Sequence, residues 1–122
     1  MDMQQLWIES VGGIIVARMR GELSDPMMVE AHQRVLALAT ETGQTKVIYN
    51  ALELLAPSID LVVRQQELVE SELASMTLRR ALVVPNTRLA YLARLAFGDG
   101  EHRVFYNDLA AAFSWLQEPD RT

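Results

Sequence analysis

The chain has 122 residues, of which 50% are hydrophobic and 22% are charged, and its formal net charge at pH 7 is −5. These values are typical of one soluble globular domain with a sizeable core, and they exclude a disordered chain. Acidic residues outnumber basic ones by 16 to 11 and no basic arm exists, which excludes a function built on contacts to nucleic-acid phosphates. We therefore expect a single domain over residues 1–122 that binds no nucleic acid.

The chain contains no cysteine, which excludes a disulfide framework, a thiolate nucleophile and a zinc–thiolate site. Residues 1–5 lack the basic start of a secretory signal, and the long apolar core of such a signal does not follow them. No uncharged apolar run approaches the about 20 residues that a membrane-spanning helix needs. We therefore predict a cytoplasmic protein without a membrane span.

Two apolar-rich runs open the chain, over residues 5–9 and 13–19, and predict an antiparallel pair of strands. Gly12 and Gly13 supply the positive φ that a tight hairpin turn requires. A helix is then expected to begin at Ser24, because a capping serine followed by proline near the first helical position favours a helix start. Gly43 suits the left-handed conformation that ends many helices.

Three later apolar runs each end at an asparagine and are followed by an amphipathic, helix-like stretch. They cover residues 46–50, 81–86 and 103–107. A continuous run of Val, Ile and aromatic residues predicts a strand buried on both faces of a largely parallel sheet. Because parallel strands need right-handed crossovers, we expect helices on both faces of the sheet and the opening hairpin at one side of it.

The helices after these runs begin at polar residues. Ser58 begins the first of them after a predicted loop over residues 51–57, and its buried stripe extends to Met76. The next covers residues 88–97. The last holds apolar residues at helical spacing and ends at Pro119; these residues are Leu109, Ala112, Phe113 and Leu116. The predicted fold is therefore α/β, with the element order β-β-α-β-α-β-α-β-α and helices packed on a mixed sheet.

This order of elements resembles the STAS family of anti-sigma-factor-antagonist-like domains. The most local similarity is the segment Val47-Ile48-Tyr49-Asn50, followed by a loop and by Ser58 at a helix start. In the regulatory branch of the family, an Asp-Ser-Ser/Thr-Gly motif follows that strand, and a partner kinase phosphorylates its serine or threonine. The resemblance implies that Ser58 falls at that hydroxyl. Pro57 stands where the motif has aspartate, and Ile59-Asp60 where small residues and glycine are expected.

The last strand and helix of the chain, over residues 103–107 and 109–116, look more like the STAS-like branch related to the lipid-binding Sec14 architecture. This resemblance implies the same fold and adds a possible small-molecule ligand to the protein partners of the regulatory branch.

Polar residues collect where the carboxyl ends of the predicted parallel strands meet helix starts, the edge at which open α/β sheets bind ligands. These residues are Asn50, Ser58, Asn86, Thr87, Arg88, Asn107 and Asp108. Amides at helix starts, together with Arg88, could hold a phosphate or a carboxylate. The alternative is that these asparagines and serines only cap helices, which they do whether or not a ligand binds.

No constellation for catalysis or metal binding stands out. His32 and His102 are the only histidines, and neither has the spaced partner ligands of a metal site. A triad built on Ser58 would lack the glycines of a nucleophile elbow. Glu70 and Glu72 lie two apart on a predicted helix and so do not face each other. We therefore predict no catalytic residue, no metal, no cofactor and a protein that is not an enzyme.

The predicted helix over residues 88–97 is apolar nearly all round, so one of its faces must meet water, a partner chain or a ligand. Our first hypothesis is a homodimeric, non-catalytic regulatory module that acts through protein contacts around this helix and the one before it. The alternative is a carrier or sensor of a small apolar or amphipathic molecule, with Arg88 at its polar group and a site lined by Leu61, Leu68, Leu92, Leu95 and Phe97. A third hypothesis is a phospho-switch on Ser58.

Overall fold

The computed structural model describes residues 5–73, 77–98 and 101–118. The elements are β1 Leu6–Val11, β2 Ile14–Gly21, α1 Asp25–Thr42, β3 Lys46–Leu54, α2 Ile59–Leu73, β4 Arg79–Val84, α3 Thr87–Ala96, β5 His102–Tyr106 and α4 Leu109–Gln117. The predicted order and the α/β fold class are confirmed. Met76 and Pro119, predicted on the buried stripe of one helix and at the end of another, lie outside the described residues.

The described strands form one sheet in chain order, β1-β2-β3-β4-β5. β1 and β2 pair antiparallel, and both Gly12 and Gly13 have positive φ in the turn between them, as predicted. The remaining pairs are parallel, with Tyr49 opposite Leu82 and Leu82 opposite Val104. The three asparagine-ended runs therefore lie side by side and point in the same direction, which confirms the prediction.

The helices are distributed unequally over the two faces of the sheet. Because the strand order advances in one direction, right-handed crossovers through α1, α2 and α3 all lie on the same face. That face holds the larger cluster of buried side chains, which includes Ile15, Val47 and Leu82. α4 follows the last strand and packs on the opposite face against β3, β4 and β5. The prediction of helices on both faces is confirmed, but three of the four share one face.

Two predictions about individual strands are wrong. β3 continues past Asn50 to Leu54, because Ala51 and Leu54 are buried and the strand still pairs with β2 beyond a bulge between Arg18 and Arg20. Residues 51–54 are thus strand and not loop. β5 is one of the two edge strands of the described sheet and none of its residues is fully buried, whereas β4 is buried along its whole length.

The ends of α1 have the predicted caps. The Ser24 Oγ accepts a hydrogen bond from the Met27 amide at 3.3 Å, with Pro26 in the first turn. At the other end Gly43 has a φ of 75°, and its amide donates to the Ala39 carbonyl at 2.8 Å. Local sequence signals therefore determine where this helix begins and ends.

Arg79, at the start of β4, joins the sheet to the end of α4. Its guanidinium lies 4.2 Å from the ring centroid of Trp115, and its Nε lies 3.3 Å from a carboxylate oxygen of Glu101. Its Nη1 donates to the Glu118 carbonyl at 2.9 Å, where a helix C-terminus favours positive charge. One buried cation thus connects a strand, a loop and the last turn of a helix.

Replacing Arg79 by alanine should lower the free energy of unfolding by about 2 kcal/mol, because Trp115 loses a cation–π contact and the Glu118 carbonyl loses a hydrogen-bond donor. Urea unfolding followed by circular dichroism measures the change. The matched control is Arg34→Ala, which removes an exposed pair with Glu30 at 3.5 Å and should cost less than about 0.5 kcal/mol. Equal losses in the two variants would contradict this role of Arg79.

Candidate functional site

Asn50, predicted at the carboxyl end of a strand, lies within β3. Its Oδ1 accepts a hydrogen bond from the Leu52 amide in the same strand at 3.2 Å. Asn50 faces Val83 across the parallel pair, and β3 pairs only with β2 beyond this point. Its side chain therefore accepts a hydrogen bond from the β3 backbone at the point where β3 stops pairing with β4.

The remaining polar residues of the strand edge are bound within helix starts. The Oδ1 of Asn86 accepts from the Leu89 amide at 2.9 Å, which makes Asn86 the N-cap of α3, and Asp108 caps α4 by accepting from the Ala111 amide at 2.9 Å. Asn107 has a φ of 51°. Its amide donates to the Val84 carbonyl at 3.0 Å, joining the ends of β4 and β5. Capping accounts for the side chains of Asn86 and Asp108, and the Asn107 Nδ2 donates to the Pro85 carbonyl at 3.4 Å. Anion binding at this edge stays a prediction.

Thr87 and Arg88 occupy the first turn of α3 and both are exposed. Neither side chain acts as the cap, since Asn86 fills that position. Asn86, and not its neighbour Thr87, therefore caps α3.

Replacing Asn86 by alanine should lower the free energy of unfolding by about 1 kcal/mol, because the Leu89 amide loses its hydrogen-bond acceptor. The control is Thr87→Ala at the neighbouring exposed position, where a change within about 0.5 kcal/mol is expected. Urea unfolding of both variants measures the difference. A larger loss in Thr87→Ala than in Asn86→Ala would contradict the assignment of the cap.

Ser58 begins α2 and is exposed. Its Oγ accepts from the Leu61 amide at 3.3 Å, and its carbonyl accepts from the Val62 amide at 3.1 Å. Large apolar side chains surround it in the chain: Leu55, Ile59 and Val63 are 62%, 55% and 45% exposed. Ile59 and Val63 are four residues apart and so lie on the same side of α2. We call Leu55, Ile59 and Val63 the α2 apolar surface.

Some apolar residues of α3 lie in the core, and others lie on the surface of the protein. Its inner side chains are buried; they are Leu89, Ala90, Leu92 and Ala96. Tyr91 and Leu95, one turn apart, are exposed. We call this pair the α3 apolar surface. The all-round apolar character of the helix thus supplies both the core and an exposed pair of large side chains.

An apolar cavity of about 90 Å³ lies between the sheet and the three helices α1, α2 and α3. Leu61, Leu92 and Phe97, which the sequence predicted around a small ligand, do line it. Leu68, Leu95 and Arg88, from the same prediction, are not among its lining residues. The cavity therefore lies deeper than predicted, beneath the helices and against the strands.

Among the described residues, three polar side chains that the sequence did not indicate line the cavity: His32, Tyr49 and Gln65. Tyr49 is only 5% exposed, and its hydroxyl makes no hydrogen bond within the part of the chain that the structure describes. Its ring lies 5.4 Å from the ring of Phe97, centroid to centroid. The fully buried guanidinium of Arg80 lies 5.0 Å from the Phe97 ring and 6.0 Å from the Tyr49 ring. Only one feature of the sequence indicated that Tyr49 would lie here, namely that it shares one side of β3 with Val47.

The outer face of the hairpin holds an exposed ion pair. The Nε of Arg18 donates to a Glu53 carboxylate oxygen at 3.1 Å, and the Arg18 guanidinium lies 4.9 Å from the ring centroid of Trp7. The hydrogen bond from Arg18 lowers the pKa of Glu53, partial desolvation opposes it, and the positive charges of Arg18 and Arg20 lower it further. Glu53 therefore remains a carboxylate near neutral pH and is poorly suited to act as a general acid.

Metal and membrane features were sought over residues 5–73, 77–98 and 101–118. No group of three or more His, Cys, Asp or Glu side chains there could hold a metal ion. Among those same residues, every helix is too short or too polar to cross a membrane.

No family sequence model and no curated protein matches the chain. Solved structures do match its fold. An anti-sigma factor antagonist from Mycobacterium paratuberculosis superposes with a TM-score of 0.67 at 13% identity, over 93% of this chain and 94% of that one. SpoIIAA, an anti-sigma factor antagonist in its unphosphorylated form, gives 0.61 at 19% identity, over 92% and 97%. An uncharacterised protein from Shewanella loihica with a SpoIIAA-like fold gives 0.61 at 18% identity, over 95% and 98%. The resemblance inferred from the order of elements is confirmed at the level of the fold.

Proposed function

From the STAS-like fold that this chain shares with anti-sigma factor antagonists, we propose that it is a non-catalytic regulatory module that binds another protein. The observation that carries the proposal is the α2 apolar surface, where Leu55, Ile59 and Val63 are all about half exposed or more. We expect the module to act in the cytoplasm.

Three large aliphatic side chains beside one helix start differ from the scattered apolar residues that any protein exposes. Burying one such side chain in an interface contributes roughly 1.5–3 kcal/mol. Ser58, the exposed cap in their midst, and Asp60 in the first turn add a polar border to the apolar centre. This arrangement suits a protein partner with an apolar patch of its own.

The α3 apolar surface supports the prediction of a homodimer. Tyr91 and Leu95 are exposed on one side of α3, and a tyrosine with an adjacent leucine is suited to a self-complementary contact between two copies. We propose that the two surfaces have separate tasks, with α3 joining two copies and α2 binding the regulated protein.

The double variant Ile59→Ser/Val63→Ser should bind the protein partner at least about tenfold more weakly, because two buried aliphatic side chains are lost from the interface. The partner is first captured in native cells by a photo-crosslinking residue placed at Leu55. Isothermal titration calorimetry with the purified partner then measures the affinity.

The matched control is the double variant Tyr91→Ser/Leu95→Ser, which changes the α3 apolar surface by the same number of residues. It should keep the affinity for the partner and shift the protein from dimer to monomer, as measured by light scattering after gel filtration. Unchanged affinity of the α2 variant for every captured protein would refute the proposed interface. Turnover of a hydrolase or phosphatase substrate that Ser58→Ala abolishes would refute a non-catalytic function.

A phospho-switch on Ser58 is a second candidate, favoured by its exposed position within the α2 apolar surface. A phosphate there would bring close to two negative charges to a helix N-terminus, which tolerates them. The same charges would oppose burial of Leu55, Ile59 and Val63 against an apolar partner. Phosphorylation would therefore release the partner and leave the fold intact.

Ser58→Asp should weaken partner binding, whereas Ser58→Ala should retain it at a loss of about 1 kcal/mol in stability from the missing cap. Ser71→Asp, at an exposed position near the other end of α2, is the matched control and should bind normally. Phosphopeptide mapping of the protein from its native cells should find phosphate on Ser58. Unmodified Ser58 peptides under all growth conditions would exclude the switch.

A further inference from the structure

We propose that the cavity between the sheet and α1, α2 and α3 binds a small, mostly apolar molecule that carries one hydroxyl or carboxyl group, and that Tyr49 recognises this group. The binding site lies inside the domain, whereas the proposed protein contacts lie on its outside. An experiment that refutes one proposal therefore leaves the other unaffected.

The walls of the cavity are almost entirely apolar. They come from all the layers of this face: Leu82 and Val84 from the sheet, Met28 from α1, Leu61 from α2 and Leu92 from α3. Methionines adapt to ligands of irregular shape, and Met19 and Met28 both line the cavity. Such walls favour an apolar ligand, because they offer water few hydrogen bonds.

The volume limits the size of the ligand. The cavity measures about 90 Å³, whereas an engineered apolar cavity of about 150 Å³ in another protein binds benzene. A single water needs only about 10–15 Å³. A compact molecule of about one ring therefore fits once the flexible side chains of Met19 and Met28 shift, and a long lipid chain does not.

Tyr49 supplies the polar contact. Its hydroxyl is buried and, within the described chain, makes no hydrogen bond, although nearly all buried polar groups in folded proteins have a partner. Its ring is held in place by the ring of Phe97 and by the pairing of β3 with β2 and β4. A fixed, desolvated hydroxyl in an apolar wall recognises a ligand group that can share its hydrogen bond.

The described lining of the cavity offers no carboxylate to a cationic ligand. No Asp, Glu or Lys is among the described residues that line the cavity. The guanidinium of Arg80 is buried on the same side of the sheet, 6.0 Å from the centroid of the Tyr49 ring. Alcohols, phenols and neutral carboxylic acids suit this lining, because burying a charged group there without a partner is costly.

Phenol and toluene, used as probes, test the proposal, because they have the same number of heavy atoms and differ by one hydroxyl group. Titration of each probe into methyl-labelled protein is followed by NMR at the methyl groups of Met19, Met28 and Leu92. Phenol should produce saturable shifts at these methyl groups. Tyr49→Phe should weaken phenol binding roughly three- to tenfold, the usual effect of one hydrogen bond, and leave toluene binding unchanged.

Two further variants separate the cavity from the protein surface. Tyr91→Phe removes an exposed tyrosine hydroxyl and should leave the phenol affinity unchanged. Ala93→Leu adds bulk to the cavity wall and should abolish binding of both probes.

The absence of saturable shifts with phenol would overturn the proposal, whatever the behaviour of the protein surface. Equal weakening of phenol binding in Tyr49→Phe and Tyr91→Phe would overturn the role of Tyr49. If Ala93→Leu fails to fold, the comparison of the two tyrosine variants decides the question alone.

Discussion

The right-handed crossover of parallel strands is the constraint on which the remaining structure depends. β2 to β5 follow one another across the sheet in chain order, so each crossover brings its helix to the same face. Three helices on one face of a five-stranded sheet bury Ile15, Val47 and Leu82 and enclose the cavity. α4 is outside this constraint because no strand follows it among the described residues, and it packs on the opposite face.

The order and type of the elements could be predicted because local signals determine them. Two adjacent glycines can form a tight hairpin, and Ser24 with Pro26 can begin a helix, whatever the rest of the chain does. The strand order is not a local property. The sequence therefore did not indicate that β5 would be an edge strand, or that β3 would continue past Asn50 along the extended partner β2.

The candidate sites also include some that local signals predict and others that depend on non-local packing. Ser58 and Asn86 were predicted at helix starts because capping is a short-range interaction, and both accept hydrogen bonds there. The cavity depends on how side chains from six different elements meet. In the sequence, Tyr49 is one residue of an apolar run. Only the three-dimensional packing shows that its hydroxyl has no partner in the described chain. The adjacent Arg79 and Arg80 are similar: strand alternation directs them to opposite faces, where each packs against aromatic rings.

The ion pair on the hairpin has a consequence for the behaviour of the protein in acid. Arg18 lies over Trp7, and Glu53 holds it there by a hydrogen bond. The pair thus acts as a charged cover over an aromatic ring of the hairpin, on the sheet face where α4 packs against β3, β4 and β5. Because the pKa of Glu53 is lowered, this contribution is complete above the ordinary pKa of a glutamate and disappears only as the pH falls through the lower folded-state value. At that point Arg18 loses its carboxylate partner, and the cation–π contact is the interaction that still holds it over the Trp7 ring.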